Sequence, residues 1–195
     1  MDYLLNYVPS KKIHLGWLDN PKTWVGSRLD AIVWAKRLLK SDAVIMDTET
    51  TGLLDKSNVE VIELAAINMK GKPVYHGIFK PKYKIPVKVI KIHHITNERV
   101  ESAPAFSDKW KHINSTLRGR VIVTYNAEFD RIVLARTCQL HKVEMFDARW
   151  ECAMWAYKYF LETGSFRKLG GEHRALADCR ATLRLIQRMA SSIPY

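Results

Sequence analysis

The stretch VIMDTETTGLL, residues 44–54, runs an apolar segment straight into two acids one residue apart, flanked by hydroxyls and a glycine. Ala43, Val44, Ile45 and Met46 form the uninterrupted hydrophobic run of a buried strand. Side chains of a strand alternate between its faces, so positions i and i+2 share one. Asp47 and Glu49 therefore project to the same side at the strand's end. Carboxylates so placed repel each other, and a cation between them relieves the repulsion.

The surrounding chain is strongly basic. Its 195 residues hold 31 Lys and Arg against 20 Asp and Glu, a formal charge of +11. Such a field points to polyanionic partners, nucleic acid foremost, with a purely solubilising role as the alternative. A hydrophobic fraction of 47% with 26% charged residues suits one domain with an extension. No segment reaches the roughly eighteen apolar residues of a bilayer span, so no membrane partner is expected. The opening MDYLLNYVPSKK lacks the basic cluster and cleavage site of a signal peptide. Cys138, Cys152 and Cys179 are odd in number and lack zinc-type spacing. A reducing, cytoplasmic setting is the expectation.

Residues 1–41 read as an N-terminal arm and helix packed on a main domain spanning 42–195. The arm holds Trp17, Trp24 and Trp34, read as core rather than as a nucleic-acid platform. Its helix follows a capping box of Ser27 with Asp30, and Leu29, Ile32, Val33, Leu38 and Leu39 recur at helical spacing. From Ala43 the pattern is mixed α/β. Strands are expected at 43–49, 59–68, 73–81 and 120–126, with a turn at Gly71-Lys72-Pro73. Helices are expected over 106–117, from 127 with Asn126 as its cap, over 149–161, and over 175–190. One mixed sheet with helices on both faces accommodates this order.

Two further acids accompany the first pair. Asp130 lies one turn into the helix after the strand at 120–126. Asp178 lies near the start of the last helix, among Ala175, Leu176, Ala177 and Cys179. Each alone has an ordinary explanation, as an ion pair or a helix-dipole partner. Four carboxylates gathered in one pocket require cations. All-oxygen donors select Mg²⁺ or Mn²⁺ over zinc, and two such ions about 4 Å apart clamp a phosphodiester.

DTETTG (47–52), NAEFD (126–130) and HRALAD (173–178), in that order, resemble the three motifs of the DEDD exonuclease superfamily. The histidine preceding the last aspartate is similar to that of the DEDDh branch, which includes the proofreading subunit of bacterial DNA polymerase III and ribonuclease T. The resemblance covers about residues 42–190. It implies a ribonuclease H-like α/β fold, a five-stranded mixed sheet with one antiparallel strand, flanked by helices on both faces. It also implies a metal set of Asp47, Glu49, Asp130 and Asp178 holding two divalent cations, with Asp47 bridging them and Asp130 reaching the second largely through water. His173 takes the place of the general base, a role suited to an ordinary imidazole pKa of about 6.5; a surface histidine at a helix start is the alternative.

The same resemblance places Thr48, Thr50, Thr51, Gly52 and Leu53 against the 3′-terminal nucleotide, with Leu53 as a wedge. Asn126 and Phe129 line the same cleft. In KIHHITNE (91–98), His93 matches a family histidine near that nucleotide, while His94 stands where the family usually has glycine. Lys80, Lys82, Lys84, Lys88 and Lys91 read either as a phosphate track or as an edge strand guarded by lysines. Arg180, Arg184 and Arg188 form a basic stripe that a solvated face explains equally well. Trp150, Met154 and Tyr157 recur at helical spacing and are read as core. Glu63 matches an acid of related strands and is given no role beyond support.

The expected activity is metal-dependent 3′→5′ exonuclease cleavage of single-stranded or frayed ends, with polarity taken from the resemblance and DNA favoured slightly over RNA. An RNA 3′-end-trimming enzyme is the alternative, and a catalytically silent accessory module a third. With Asp178 only 17 residues from the end of the sequence, a free-standing enzyme is expected rather than one tethered to a polymerase by a C-terminal tail. The arm remains the candidate contact for a replication or repair partner.

Overall fold

The strand that opens with Val44 becomes the middle of the sheet. A run buried on both faces can only be accommodated between two other strands. In the computed structural model, which describes residues 26–54 and 58–193, β1 (Val44–Thr50) pairs antiparallel with β2 (Val61–Asn68) and parallel with β4 (Val121–Thr124). β3 (Pro73–Ile78) extends β2 antiparallel, and β5 (Arg149–Cys152) extends β4 in parallel. The order is β3-β2-β1-β4-β5, with β2 alone running against the rest.

Helices cover both faces. On one, α1 (Arg28–Leu39), α6 (Ala153–Leu161) and α7 (Ala175–Ser191) bury Ile45, Ala65 and Ile67. On the other, α4 (Phe106–Leu117) and α5 (Ala127–Leu140) bury Val44, Met46 and Leu64. Two short helices, α2 (Val87–His93) and α3 (Asn97–Glu101), close the segment between β3 and α4 around Ile62, Ile85 and Ile95. Among the described residues no helix is long and apolar enough to cross a membrane.

The capping box of Ser27 and Asp30 starts α1. The face it buries differs from the expected one. Ile32 and Leu38 are buried with Ala31, Trp34 and Ala35, but Leu29 and Val33 are exposed. Small alanines let the helix lie close on α6 and α7, which turns the bulkier residues outward. Trp34 is core, and its indole N–H donates to buried Glu151 at 2.8 Å. Trp17 and Trp24, also expected in the core, lie outside the described residues.

Four other expectations are corrected. The helix expected over 149–161 begins only at Ala153, because Arg149 to Cys152 extend and pair with β4. Trp150 is core as expected, but on a strand, so its spacing to Met154 and Tyr157 is not one helical face. The lysine-rich stretch is no edge strand: β3 stops at Ile78, and Lys88 and Lys91 ride on α2. Asn126 stands at the N-cap of α5 without a side-chain capping bond; its carbonyl accepts from the Phe129 and Asp130 amides instead.

Candidate active site

Strand alternation puts Asp47 and Glu49 on the α7 face of β1, in line with Ile45, and the N-terminal turn of α7 brings Asp178 to them. One carboxylate oxygen from each of these three residues lies within 4.8 Å of the others. Repulsion at such spacing is severe. Burial, then the charges of Asp130, Glu49 and Asp178, hold Asp47 well above the usual carboxylate range. Burial and the neighbouring Asp178, Glu63 and Asp130 push Glu49 up to about 8, against the opposing pull of Arg174. Asp178 is also raised by burial, with His173 opposing.

Asp130 comes from the other layer. It sits in the first turn of α5, buried, and its Oδ1 accepts from the Thr48 hydroxyl at 2.8 Å. Burial raises its pKa and the Thr48 bond opposes the rise. The chain thus brings three of the four expected acids into one tight cluster. The fourth stands beside it, close enough to be the first charge felt by Asp47. An all-oxygen set, destabilised by burial and mutual repulsion, fits hard divalent ions.

His173 is exposed on the approach to α7, with backbone in the left-handed region at φ 52°. The chain just before it is packed on Asp178. The Glu172 amide donates to Asp178 Oδ1 at 3.1 Å, and a Cβ on Gly171 would meet that oxygen at 1.8 Å. Any side chain there would force Asp178 to move, a constraint sequence reasoning missed because nothing in a lone Gly-Gly announces what it faces.

Glu63 was also undervalued. It faces Glu49 across the β1–β2 pair and is fully buried. Its carboxylate accepts from Arg174 Nε and Nη2 at 3.0 and 2.7 Å, from the Ala175 amide at 3.1 Å, and pairs with His76 at 2.9 Å. Burial works against its charge, yet Arg174, His76 and the Ala175 amide hold its pKa below the usual range. Glu63 therefore pins the first residues of α7, and with them Asp178.

Beside the carboxylates opens a cavity of about 320 Å³ lined by Thr48 to Leu53, Lys88, Val89, Ile92, His93 and Phe129. All the residues expected to hold a terminal nucleotide line it except Asn126, which is exposed at the start of α5. The threonines are tied down from within. Thr50 donates to the Gly52 carbonyl at 2.6 Å, and Thr51 Oγ1 accepts from the Glu60 amide at 3.1 Å. Leu53 is 69% exposed at the rim. His93 is buried, its Nδ1 accepting from the Ile95 amide at 3.0 Å. His94 ends α2 in the left-handed conformation at φ 59°, which explains a family preference for glycine there.

A family model for exonucleases of the RNase T type matches residues 44–186. The chain belongs to this exonuclease family. It is 34% identical over 180 residues to an uncharacterized exonuclease, CP81, of Escherichia phage 186, covering 80% of this chain and 92% of the phage protein. It is 33% identical over 87 residues to the DNA polymerase III subunit epsilon of Treponema pallidum, covering 43% of this chain and 40% of that subunit. Among solved structures, the nuclease domain of 3′hExo, a DEDDh family member bound to rAMP, superposes with a TM-score of 0.62 at 19% identity, covering 77% of this chain and 92% of that one. Exonuclease X in complex with 5′-overhanging duplex DNA superposes with a TM-score of 0.51 at 24% identity, over 77% and 94%. The sheet order and flanking helices are those of the ribonuclease H-like DEDDh exonuclease fold, and the family implies divalent metal ions.

Proposed function

We propose that this DEDDh exonuclease removes nucleoside 5′-monophosphates from the 3′ ends of single-stranded or frayed DNA, using two divalent cations, Mg²⁺ or Mn²⁺. The observation that carries the reading is the Asp47, Glu49 and Asp178 cluster within 4.8 Å, set beside a cavity sized for one nucleotide. Asp47, Glu49 and Asp178 would hold one cation, and Asp47 with Asp130 the second. Such ions, when bound, stabilise charge on the attacking and leaving oxygens of a phosphodiester.

The remaining roles belong to side chains. The cavity takes the terminal nucleotide, with Thr48, Thr50, Thr51 and Gly52 forming its floor, Leu53 as the wedge at its rim, and His93 and Phe129 on its walls. Asn126, exposed at the start of α5, is not among the residues that line the cavity. Thr48 holds Asp130 in one orientation through its hydroxyl. Exposed His173 takes the proton of the attacking water on a ring nitrogen, close to Asp178. Glu63 and Arg174 fix the start of α7, which carries Asp178 and directly follows the bend holding His173. The positive surface draws the strand in, and Lys88 stands at the cavity itself.

Digestion of matched 5′-labelled and 3′-labelled DNA and RNA oligomers, with Mg²⁺, Mn²⁺ or EDTA, tests polarity, sugar preference and metal dependence together. The expected result is a descending ladder from the 5′ label, immediate mononucleotide release from the 3′ label, and no cleavage in EDTA. Internal fragments, or 5′-end release, would overturn the reading.

A further inference from the structure

A second surface lies outside the cavity and outside the metal set. On α6, Trp155 meets Phe166 edge to face at 4.8 Å, with ring planes at 88°. Lys158 Nζ sits over both rings, 4.5 Å from the Phe166 centroid and 5.0 Å from that of Trp155. Phe166 is 46% exposed, in the loop TGSFRKLGG at 163–171, which contains no acid and exposes Arg167 and Lys168.

This loop is tied toward the active site at two points, its middle and its far end. The Tyr125 hydroxyl donates to the Arg167 carbonyl, and Tyr125 directly precedes Asn126 at the start of α5, the helix that carries Asp130. At its far end the loop packs Gly171 on Asp178 and continues into His173. An apolar ring left in water on a cationic loop is a poor core element. A π face under an ammonium, with further cations alongside, matches a single strand, which offers stacked bases and phosphates together.

We propose that Trp155, Lys158 and Phe166 form a stacking platform for bases of single-stranded nucleic acid upstream of the scissile phosphate, with Arg167 and Lys168 on the adjoining phosphates. The inference rests on the nuclease reading above, and continuity with the carboxylate site commits the surface to the enzyme's own substrate strand. The platform grips bases that the terminal-nucleotide cavity does not touch. It therefore acts on long strands and is invisible to a minimal substrate.

The test compares wild type with Phe166→Ala and Phe166→Trp on a long oligodeoxythymidine and on the p-nitrophenyl ester of thymidine 5′-monophosphate. Phe166→Ala should raise KM for the long strand about tenfold, the lower part of the range for one lost base stack, and leave ester hydrolysis unchanged; Phe166→Trp should restore the long-strand KM. Fluorescence anisotropy of the labelled strand in EDTA gives the same comparison without turnover, and abasic units upstream of the 3′ end should weaken wild type but not Phe166→Ala. An unchanged long-strand affinity, a parallel loss of ester hydrolysis, or equal competition by polyglutamate would overturn the platform. Absence of cleavage with strand binding still dependent on Phe166 would instead overturn the nuclease reading and leave the platform standing.

Discussion

Gly171 and Asp178 are in such close register that the glycine's missing side chain is the space the carboxylate occupies: a Cβ would lie 1.8 Å from Oδ1. Backbone and carboxylate are further joined by the Glu172 amide. Gly171→Ala should therefore displace Asp178 rather than unfold the loop. Displacing a reacting group by an ångström costs on the order of 10²-fold in rate. The expected outcome is that loss in kcat with little change in melting temperature, measured by nuclease assay and thermal denaturation side by side.

Asp47 sits at the centre of the mutual repulsion. Asp47→Asn keeps the shape and removes one charge. Cleavage should be abolished, while the protein in EDTA melts at a higher temperature than wild type. A variant that turns over, or that loses stability in EDTA, would contradict Asp47 as the shared ligand.

The raised carboxylates also make stability depend on pH and metal. Glu49 has a folded pKa of about 8 against an ordinary value of 4.5. A group raised in this way favours the fold while protonated, and that contribution is lost as pH rises through about 8. In EDTA the melting temperature should fall between pH 5 and pH 8. Saturating Mn²⁺ should flatten or reverse the trend, because the ions bind the ionised form. Denaturation scans across pH with and without metal read both slopes.

Glu63 ties Arg174, His76 and the Ala175 amide together. Glu63→Gln leaves a buried site with fewer acceptors and should cost about 1–3 kcal/mol in urea denaturation. Loss of kcat should accompany it, since Asp178 and His173 lie on the segment released. A stability loss with full kcat would make Glu63 structural only.

His94 holds a left-handed backbone with an exposed side chain. Such a conformation costs an L-residue roughly 1–2 kcal/mol. His94→Gly should recover part of that, partly offset by the greater freedom of glycine when unfolded. A gain of up to about 1 kcal/mol in urea denaturation is expected.

The sequence was most legible where a local pattern coincided with a tertiary one. The run from Ala43 to Met46 had to be central, and α4 could be read from its spacing over 106–117 to the residue. Asp47, Glu49 and Asp178 converge because strand alternation and one helix turn point them at a common place. It was least legible where one element runs into the next without a turn: β5 passes directly into α6, so Trp150 looked helical. The α1 face was misjudged because close packing through Ala31 and Ala35 outweighed the larger side chains. Gly171 escaped notice because a glycine does not announce the carboxylate it faces, and Glu63 was given no role beyond support because Arg174 and Ala175, which it holds, are distant in the chain.

The acids of the cluster come from β1 and α7, elements near opposite ends of the described chain, with Asp130 on α5 between them. A nascent polypeptide therefore has no assembled carboxylate cluster while α7 is still inside the ribosome. The cluster is complete only once α7 has docked against β1 and β2, so appearance of activity during refolding should come no earlier than that docking.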